Sequence, residues 1–288
     1  MTTRRRLCAT LAALATTGTI AVHPASASAS EPRPTAAARS HGITAPGQAS
    51  MGWTTPGGTA VGLGAGPTSA AAALTVTPLA ARPSVEGVDV SSHQRTVAWS
   101  ALYARGVRFA YVKATEGRTY RNPYFHSQYG GSYRAGMAHG AYHFAIPNIS
   151  SGSTQAKIFV AHGGGWSADG RTLPGVLDIE YNPYGSWCYG LSRTKMISWI
   201  RSFTTRYHRL TGRDAVIYTT LAWWRRCTGN TTTFSRSNPL WVATVGGRVG
   251  SLPGGWPYQT FWQYSEAGGL DRDRFNGTFG NLTRLTRG

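Results

Sequence analysis

Acidic residues and cysteines are the scarce components of this chain. Its 288 residues include 11 Asp and Glu, against 29 Lys and Arg, and 3 cysteines. So few thiols, with no mixed His/Cys cluster, argue against a zinc site of the usual ligand spacing, and neither a metal nor another cofactor is expected. Long apolar runs are lacking too. The one candidate, Leu7 to Val22, is too short and too rich in Ala and Thr to span a bilayer, so no membrane insertion is expected. No glycine-rich phosphate loop follows the first strand pattern, which argues against nucleotide binding. Base-stacking and groove-reading motifs are missing as well, so nucleic acid is not the expected partner despite the positive charge. The 36 Gly and 15 Pro follow no collagen-like period and are diluted by aromatics, which argues against wholesale disorder.

What is present divides into three stretches. Arg4-Arg5-Arg6, the apolar run and the small residues Ala25 to Ala29 have the layout of a secretory signal peptide over 1–29, which predicts a secreted, extracellular protein. Cys8 leaves with that peptide, so Cys188 and Cys227 remain as a pair in an oxidising compartment and are expected to form a disulfide. Over 30–84 the composition turns to Ala, Thr, Pro, Gly and Ser with one aromatic, Trp53, and offers no periodic apolar face. This stretch is expected to be a disordered linker or pro-segment without a core.

From Val85 onward, short β-rich runs alternate with helical patterns. Strands are predicted at Glu86–Val90, Phe109–Ala114, Gly140–Phe144, Gly175–Glu180, Ala215–Tyr218, Leu240–Ala243 and Thr260–Tyr264. Ser192 precedes Met196, Ile197, Ile200, Phe203, Tyr207 and Leu210 at helical spacing before Gly212, which marks an amphipathic helix with both caps. Trp99, Leu102, Tyr103 and Gly106 mark another, and Asn122-Pro123 has the chemistry of a helix start. The later strands are joined by loops with little helical pattern. Residues 85–288 are therefore expected to form an α/β domain, an irregular, incomplete TIM-like barrel of eight strands with fewer helices.

Because acids are rare, their places carry information. Asp178 and Glu180 stand at i and i+2 on one predicted strand, which points both carboxyls to one face about 7 Å apart. The apolar neighbours Val176, Leu177 and Ile179 make a solvated edge strand a poor explanation. Two carboxyls this close cannot both ionise freely, so one retains a proton near neutral pH, as a general acid must. Asp89 closes the first strand in the same manner, and Asp271 stands in a predicted C-terminal loop.

Six segments in order resemble glycoside hydrolase family 25, the N,O-diacetylmuramidases also called Chalaropsis-type lysozymes. They are Gly87-Val88-Asp89-Val90-Ser91, Val112-Lys113-Ala114-Thr115-Glu116-Gly117, Gly140-Ala141-Tyr142-His143-Phe144, Leu177-Asp178-Ile179-Glu180, Phe261-Trp262-Gln263-Tyr264 and Leu270-Asp271-Arg272-Asp273-Arg274-Phe275. The resemblance implies a glycoside hydrolase with Glu180 as proton donor, Asp178 as its partner, and Asp89 and Asp271 as further acids of the cleft. It also implies Glu116 and Gln263 as substrate-binding residues. Asp273 departs from the pattern, since the family usually has Asn there, which leaves open which of Asp271 and Asp273 faces substrate. Sugar rings stack their C–H faces on aromatics, so Tyr142, Tyr218, Trp241 and Trp262 near strand ends are candidate platforms. His143 is a candidate hydrogen-bonding residue of the cleft wall, although Tyr142 and His143 alternate faces and only one of them can point inward.

The chemistry follows from the substrate class. Glycoside hydrolysis needs a protonated carboxyl at the leaving oxygen and a negative group at the oxocarbenium-like centre. A 2-acetamido group can supply the nucleophile itself, with Asp178 holding its N–H; direct attack by Asp178 or Asp89 is the rival route. Bacterial cell-wall peptidoglycan, cut by a monomeric enzyme, is the expected substrate, and the net charge of +18 suits an anionic wall. A chitinase-like hydrolase of N-acetylglucosamine polymers and a non-catalytic saccharide-binding barrel are the alternatives.

Overall fold

The computed structural model describes residues 33–53, 83–244, 248–266 and 269–288. The expected signal peptide, 1–29, lies outside them, as do residues 54–82 of the expected linker. A short helix, α1 (Ala36–Ser40), opens the described chain, and its N-cap Thr35 accepts from the Ala38 amide. The remaining elements follow in the order β1 (Ser84–Val90), α2 (Trp99–Ala104), β2 (Phe109–Glu116), β3 (Tyr120–Arg121), α3 (Phe125–Arg134), β4 (Ala138–Phe144), α4 (Gly152–Phe159), β5 (Val176–Asp178), α5 (Arg193–Thr211), β6 (Val216–Thr219), α6 (Leu221–Thr228), β7 (Leu240–Ala243), β8 (Phe261–Ser265), β9 (Asp271–Asn276) and α7 (Phe279–Arg287).

Eight of these strands form a ring in the order β1-β2-β4-β5-β6-β7-β8-β9, and β3 is a hairpin appendage on β2. Pairing is parallel from β1 through β8, and β9 closes the ring by running antiparallel to both β8 and β1. The barrel is thus TIM-like and irregular, with all eight strands present. Its incompleteness lies in the helices, since among the described residues no α-helix separates β7 from β8 or β8 from β9. One expectation is corrected: Asp271 begins strand β9 instead of lying in a loop, because the alternation from Asp271 to Phe275 was hidden by charged residues on its half-buried outer face.

Strand parity separates two apolar layers. Phe109 and Tyr111 of β2, Val176 of β5, Tyr218 of β6, Trp241 of β7 and Phe261 of β8 fill the barrel interior. Their neighbours Ala110, Val112, Leu177, Ile217 and Val242 pack outward against the helices. The longest helix, α5, lays Met196, Ile200, Phe203 and Tyr207 on that outer layer. Its ends match the sequence reading: Ser192 caps the start, accepting from the Lys195 amide, and Gly212 ends it at φ 73°. Helix α3 starts later than Asn122-Pro123 suggested, because Asn122 is committed to the interior, donating to the Lys113 carbonyl and to Gln128.

Residues 33–53 differ from the expectation of a stretch without buried residues. Ala38, Ile43, Ala49, Met51 and Trp53 are all buried against the barrel. Their spacing follows neither the helical nor the strand period, so no amphipathic face was visible. Main-chain hydrogen bonds hold the segment, beginning with the Thr35 amide on the Pro183 carbonyl at 2.8 Å.

Cys188 and Cys227 are joined in a disulfide that spans 39 positions of sequence. Cys227 sits in α6 and ties that helix to the segment after β5. Closing a loop of this length should stabilise the fold by about 3 to 4 kcal/mol through the unfolded chain's entropy. Chemical denaturation with and without reductant measures it; equal midpoints would show that the bond does not constrain the unfolded state.

Candidate functional site

The carboxyl ends of the parallel strands make one mouth of the barrel, and because β9 runs the other way its first residues arrive at the same end. Asp89 at the end of β1 is in register with Asp271, and Asp273 stands opposite Gln263 of β8. Asp178 ends β5, and Glu180 follows two residues on, with the ladder continued by the Ile179 amide to the Tyr218 carbonyl at 3.0 Å. Period-two alternation therefore puts Asp178 and Glu180 side by side, as expected from their spacing. Asp89, Asp178 and Asp273 are 0% exposed and Glu180 is 1% exposed.

Burial raises the pKa of every one of these groups well above the ordinary carboxylate range. The charges around them then separate Asp178 from Glu180. Beyond burial, Asp178 feels Lys113, which favours its ionised form. Beyond burial, Glu180 feels Asp178, which disfavours its ionised form, and the Gly52 amide opposes this by donating to Glu180 Oε1 at 2.8 Å. The proton of the pair therefore belongs on Glu180 and the negative charge on Asp178. Asp89 is raised by burial, then by Asp271 and Asp273, against a hydrogen bond that Gln263 Nε2 donates to its Oδ2 at 2.9 Å. Asp271, half-buried, is pushed up to about 7 by burial and then by Glu266.

Of the expected binding residues, four meet these acids. Gln263 links Asp89 to Tyr218, whose hydroxyl donates to Gln263 Oε1 at 2.6 Å. Tyr142 points into the barrel, and its hydroxyl accepts from the Met51 amide at 3.5 Å. Glu116 is at the mouth because β2 carries a bulge between Lys113 and Thr115. Without that extra residue, positions 113 and 116 would face opposite sides; with it, Lys113 Nζ lies 2.5 Å from Glu116 Oε2.

Two expected residues, His143 and Trp262, are not at the mouth, and a third, Trp241, lies beneath it. His143 faces the helical layer, where its ring nitrogens bond Thr115 Oγ1 at 2.7 Å and Gln155 Oε1 at 2.9 Å and burial pushes its pKa down to about 3. It is the outward partner of Tyr142 in the alternation. Trp241 packs in the barrel interior beneath the acids, its ring 5.0 Å from Tyr111 and 5.2 Å from Phe261 and its indole against Asp273. Trp262 packs on the outer layer and donates its indole N–H to the Thr244 carbonyl at 2.9 Å. His143 and Trp262 are buried rings on the outer face of their strands, and sequence position alone does not separate such packing from binding.

Other residues of the mouth were missed. Lys113 is a fully buried cation, and its only sequence signal was a lysine in an otherwise apolar strand. Tyr184 donates its hydroxyl to Glu116. Gly47, Met51, Gly52 and Trp53 cross the mouth itself, and nothing in their spacing announced it. Open depressions of the surface, such as the one lined by Pro147, Lys195 and Trp199, lie on the helical side instead.

The arrangement can hold one proton and one negative charge on adjacent carboxyls, which is the requirement for acid-assisted cleavage of a glycosidic bond. A raised carboxyl pKa also links stability to pH. Protonated Asp271 stabilises the folded state at low pH, and that contribution is lost as pH rises from the unfolded value of 3.8 through about 7. Asp271→Asn should therefore flatten part of the decline in unfolding free energy between pH 4 and 8, measured by denaturant titration; an unchanged slope would contradict the assignment.

Comparison with known proteins places this mouth in context. The family model for glycosyl hydrolases family 25 matches residues 88–272. Lysozyme M1 of Streptomyces globisporus is 48% identical over 249 residues, covering 83% of this chain and 82% of its own. The N,O-diacetylmuramidase of Chalaropsis sp is 47% identical over 210 residues, 71% of this chain and 100% of its own. Among solved structures, a family 25 lysozyme from Aspergillus fumigatus superposes with a TM-score of 0.70 at 48% identity, over 72% of this chain and 100% of that one. The bacterial lysozyme from Streptomyces coelicolor superposes with a TM-score of 0.69 at 49% identity, over 70% and 97%.

Proposed function

The chain belongs to glycosyl hydrolase family 25, and from that membership and the acids at the barrel mouth we infer that it is a lysozyme, hydrolysing the β-1,4 bond between N-acetylmuramic acid and N-acetylglucosamine in bacterial peptidoglycan. The observation that carries the reading is the unequal surroundings of Asp178 and Glu180, one beside Lys113 and the other beside Asp178. Glu180 gives its proton to the glycosidic oxygen as the C–O bond breaks. The carbonyl oxygen of the sugar's own 2-acetamido group forms the new bond to the anomeric carbon, while the Asp178 carboxylate holds the amide N–H and offsets the oxazolinium charge. Water then attacks that carbon, Glu180 takes its proton, and the configuration is retained. Asp89, Asp271 and Asp273 line the same mouth with Glu116, Tyr142, Tyr218 and Gln263, and are assigned to holding the sugar.

Direct attack by Asp178 or Asp89 is the rival route. The adjacency of Asp178 and Glu180 on one strand favours the substrate-assisted one, because an attacking carboxylate belongs across the cleft from the acid. A chitinase-like activity and a non-catalytic saccharide-binding barrel stand behind the lysozyme reading. The second is opposed by the cost of keeping so many buried acids for binding alone. We place the enzyme outside the cell, acting as a monomer, on the basic-then-apolar N-terminal sequence, the disulfide and the ring closure that leaves no long strand edge to share. Its charge of +18 draws it to anionic wall polymers.

Glu180→Gln keeps the shape and loses the proton, so turnover on cell walls should fall by about two to four orders of magnitude with saccharide binding retained. Comparable lysis by folded variant and parent would remove Glu180 from its role. Reducing-end analysis of digested peptidoglycan separates the activities: new muramic acid ends support the lysozyme, and new glucosamine ends would replace it with a glucosaminidase. Asp178→Asn should be partly tolerated, whereas a glycosyl ester trapped on Asp178 or Asp89 by a slow fluorosugar and seen by intact mass would establish direct attack.

A further inference from the structure

Residues 47–53 run across the barrel mouth with their main chain turned to the groups assigned above to the substrate. The Gly47 amide donates to Glu116 Oε1 at 3.0 Å, and the Gly47 carbonyl accepts from Lys113 Nζ at 3.0 Å. The Met51 amide and carbonyl meet Tyr142 and Gln263 at 3.5 Å each, and the Gly52 amide meets Glu180 at 2.8 Å. A backbone in turns, outside any helix or strand, leaves N–H and C=O groups free to bond its surroundings, the same donors and acceptors that hydroxyl and acetamido groups of a saccharide offer. The Met51 side chain completes the plug. It is 1% exposed and joins the interior cluster of Tyr142, Tyr218 and Trp241.

Three further observations point the same way. The two tight crossings are glycines with positive φ, Gly47 at +90° and Gly52 at +84°. A Cβ at Gly47 would lie 1.9 Å from the Tyr120 ring, and one at Gly52 would lie 2.5 Å from Gln263 Oε1. The segment from Arg33 to Trp53 contains two arginines and no acid, and it sits on a mouth where acids collect. Two relatives align over their whole length with a share of this chain about the size of the barrel, 71% for the Chalaropsis sp enzyme and 72% for the Aspergillus fumigatus structure, whereas the alignment with Lysozyme M1 covers 83% and extends N-terminal to it.

We propose that residues 33–53 are an autoinhibitory strap, which fills the saccharide cleft of this lysozyme and keeps it inactive while the segment is seated. The inference rests on the reading of the mouth as the substrate cleft, and it adds the regulation of that cleft. The strap competes with substrate for Glu116, Tyr142, Gln263 and Glu180. Its amide on Glu180 also stabilises the ionised form of the acid that must carry the proton. A cleft open for only a fraction of the time loses apparent affinity by that fraction.

The test uses the chain with its N-terminal segment in place. Gly47→Val with Gly52→Val leaves every proposed catalytic and sugar-holding side chain intact and puts branched side chains at two positive-φ crossings against Tyr120 and Gln263, which strongly disfavours the seated strap. Lysis of cell walls should then rise about tenfold or more over the parent. A synthetic peptide of residues 33–53 added to that variant should raise KM and leave kcat unchanged. Equal, measurable lysis by parent and variant would overturn the strap and leave the lysozyme reading standing. If neither hydrolyses peptidoglycan, the lysozyme reading fails, and hydrogen exchange in the parent judges the strap independently. Protected amides at Gly47 and Gly52 support seating, and exchange at the rate of a free peptide refutes it.

Discussion

Asp89, Asp178, Glu180 and Asp273 lie within one ring of strands at 1% exposure or less, and Lys113 is the single buried lysine among the described residues to stand with them. Like charges in a low-dielectric site repel strongly, so these groups can coexist only if several stay protonated or are met by a cation or a donor. Lys113 meets Asp178 and Glu116, Gln263 meets Asp89, and the Gly52 amide meets Glu180. Each of these partners arrives from a different element. The mouth therefore depends on closure of the whole ring, and above all on β9, whose reversed direction brings Asp271 and Asp273 beside Asp89.

The same ring explains why the site is rigid. Beneath the acids, Tyr111, Tyr218, Trp241 and Phe261 pack ring against ring in the interior, so the strand ends have little room to shift. Outside, His143 stands neutral between Thr115 and Gln155, and Phe159 and Phe203 flank it. A charged imidazole there would lack a counter-ion. Its place is structural: it anchors β4 to α4, and so sets the register of Tyr142 on the opposite face.

Acids held this way are destabilising in the folded chain at neutral pH, a cost that the interior aromatic packing, the outer layer against α5 and the disulfide to α6 offset. The N-terminal strap bears on the same problem. With its amides on Glu116 and Glu180 it supplies donors to two acids that a bound saccharide would otherwise satisfy. Seating of the strap and binding of substrate are, in this view, two solutions to one electrostatic constraint.

How much of this was legible beforehand depended on the range of the interaction. Periodicity of two put Asp178 and Glu180 on one face, periodicity of 3.6 and two caps outlined α5, and an even thiol count in a chain expected to be exported anticipated the disulfide. These are local or compositional properties, and a chain determines them residue by residue. Which face looks inward, and what waits there, was decided only by tertiary structure. Trp241 and Trp262 are both aromatic strand residues, yet one is sealed in the barrel and the other lies against the helices. The bulge after Lys113 that turns Glu116 to the mouth carries no sequence mark of its own. Residues 33–53 lacked any apolar period because their main chain, whose donors and acceptors are the same in every sequence, makes most of their bonds to the barrel.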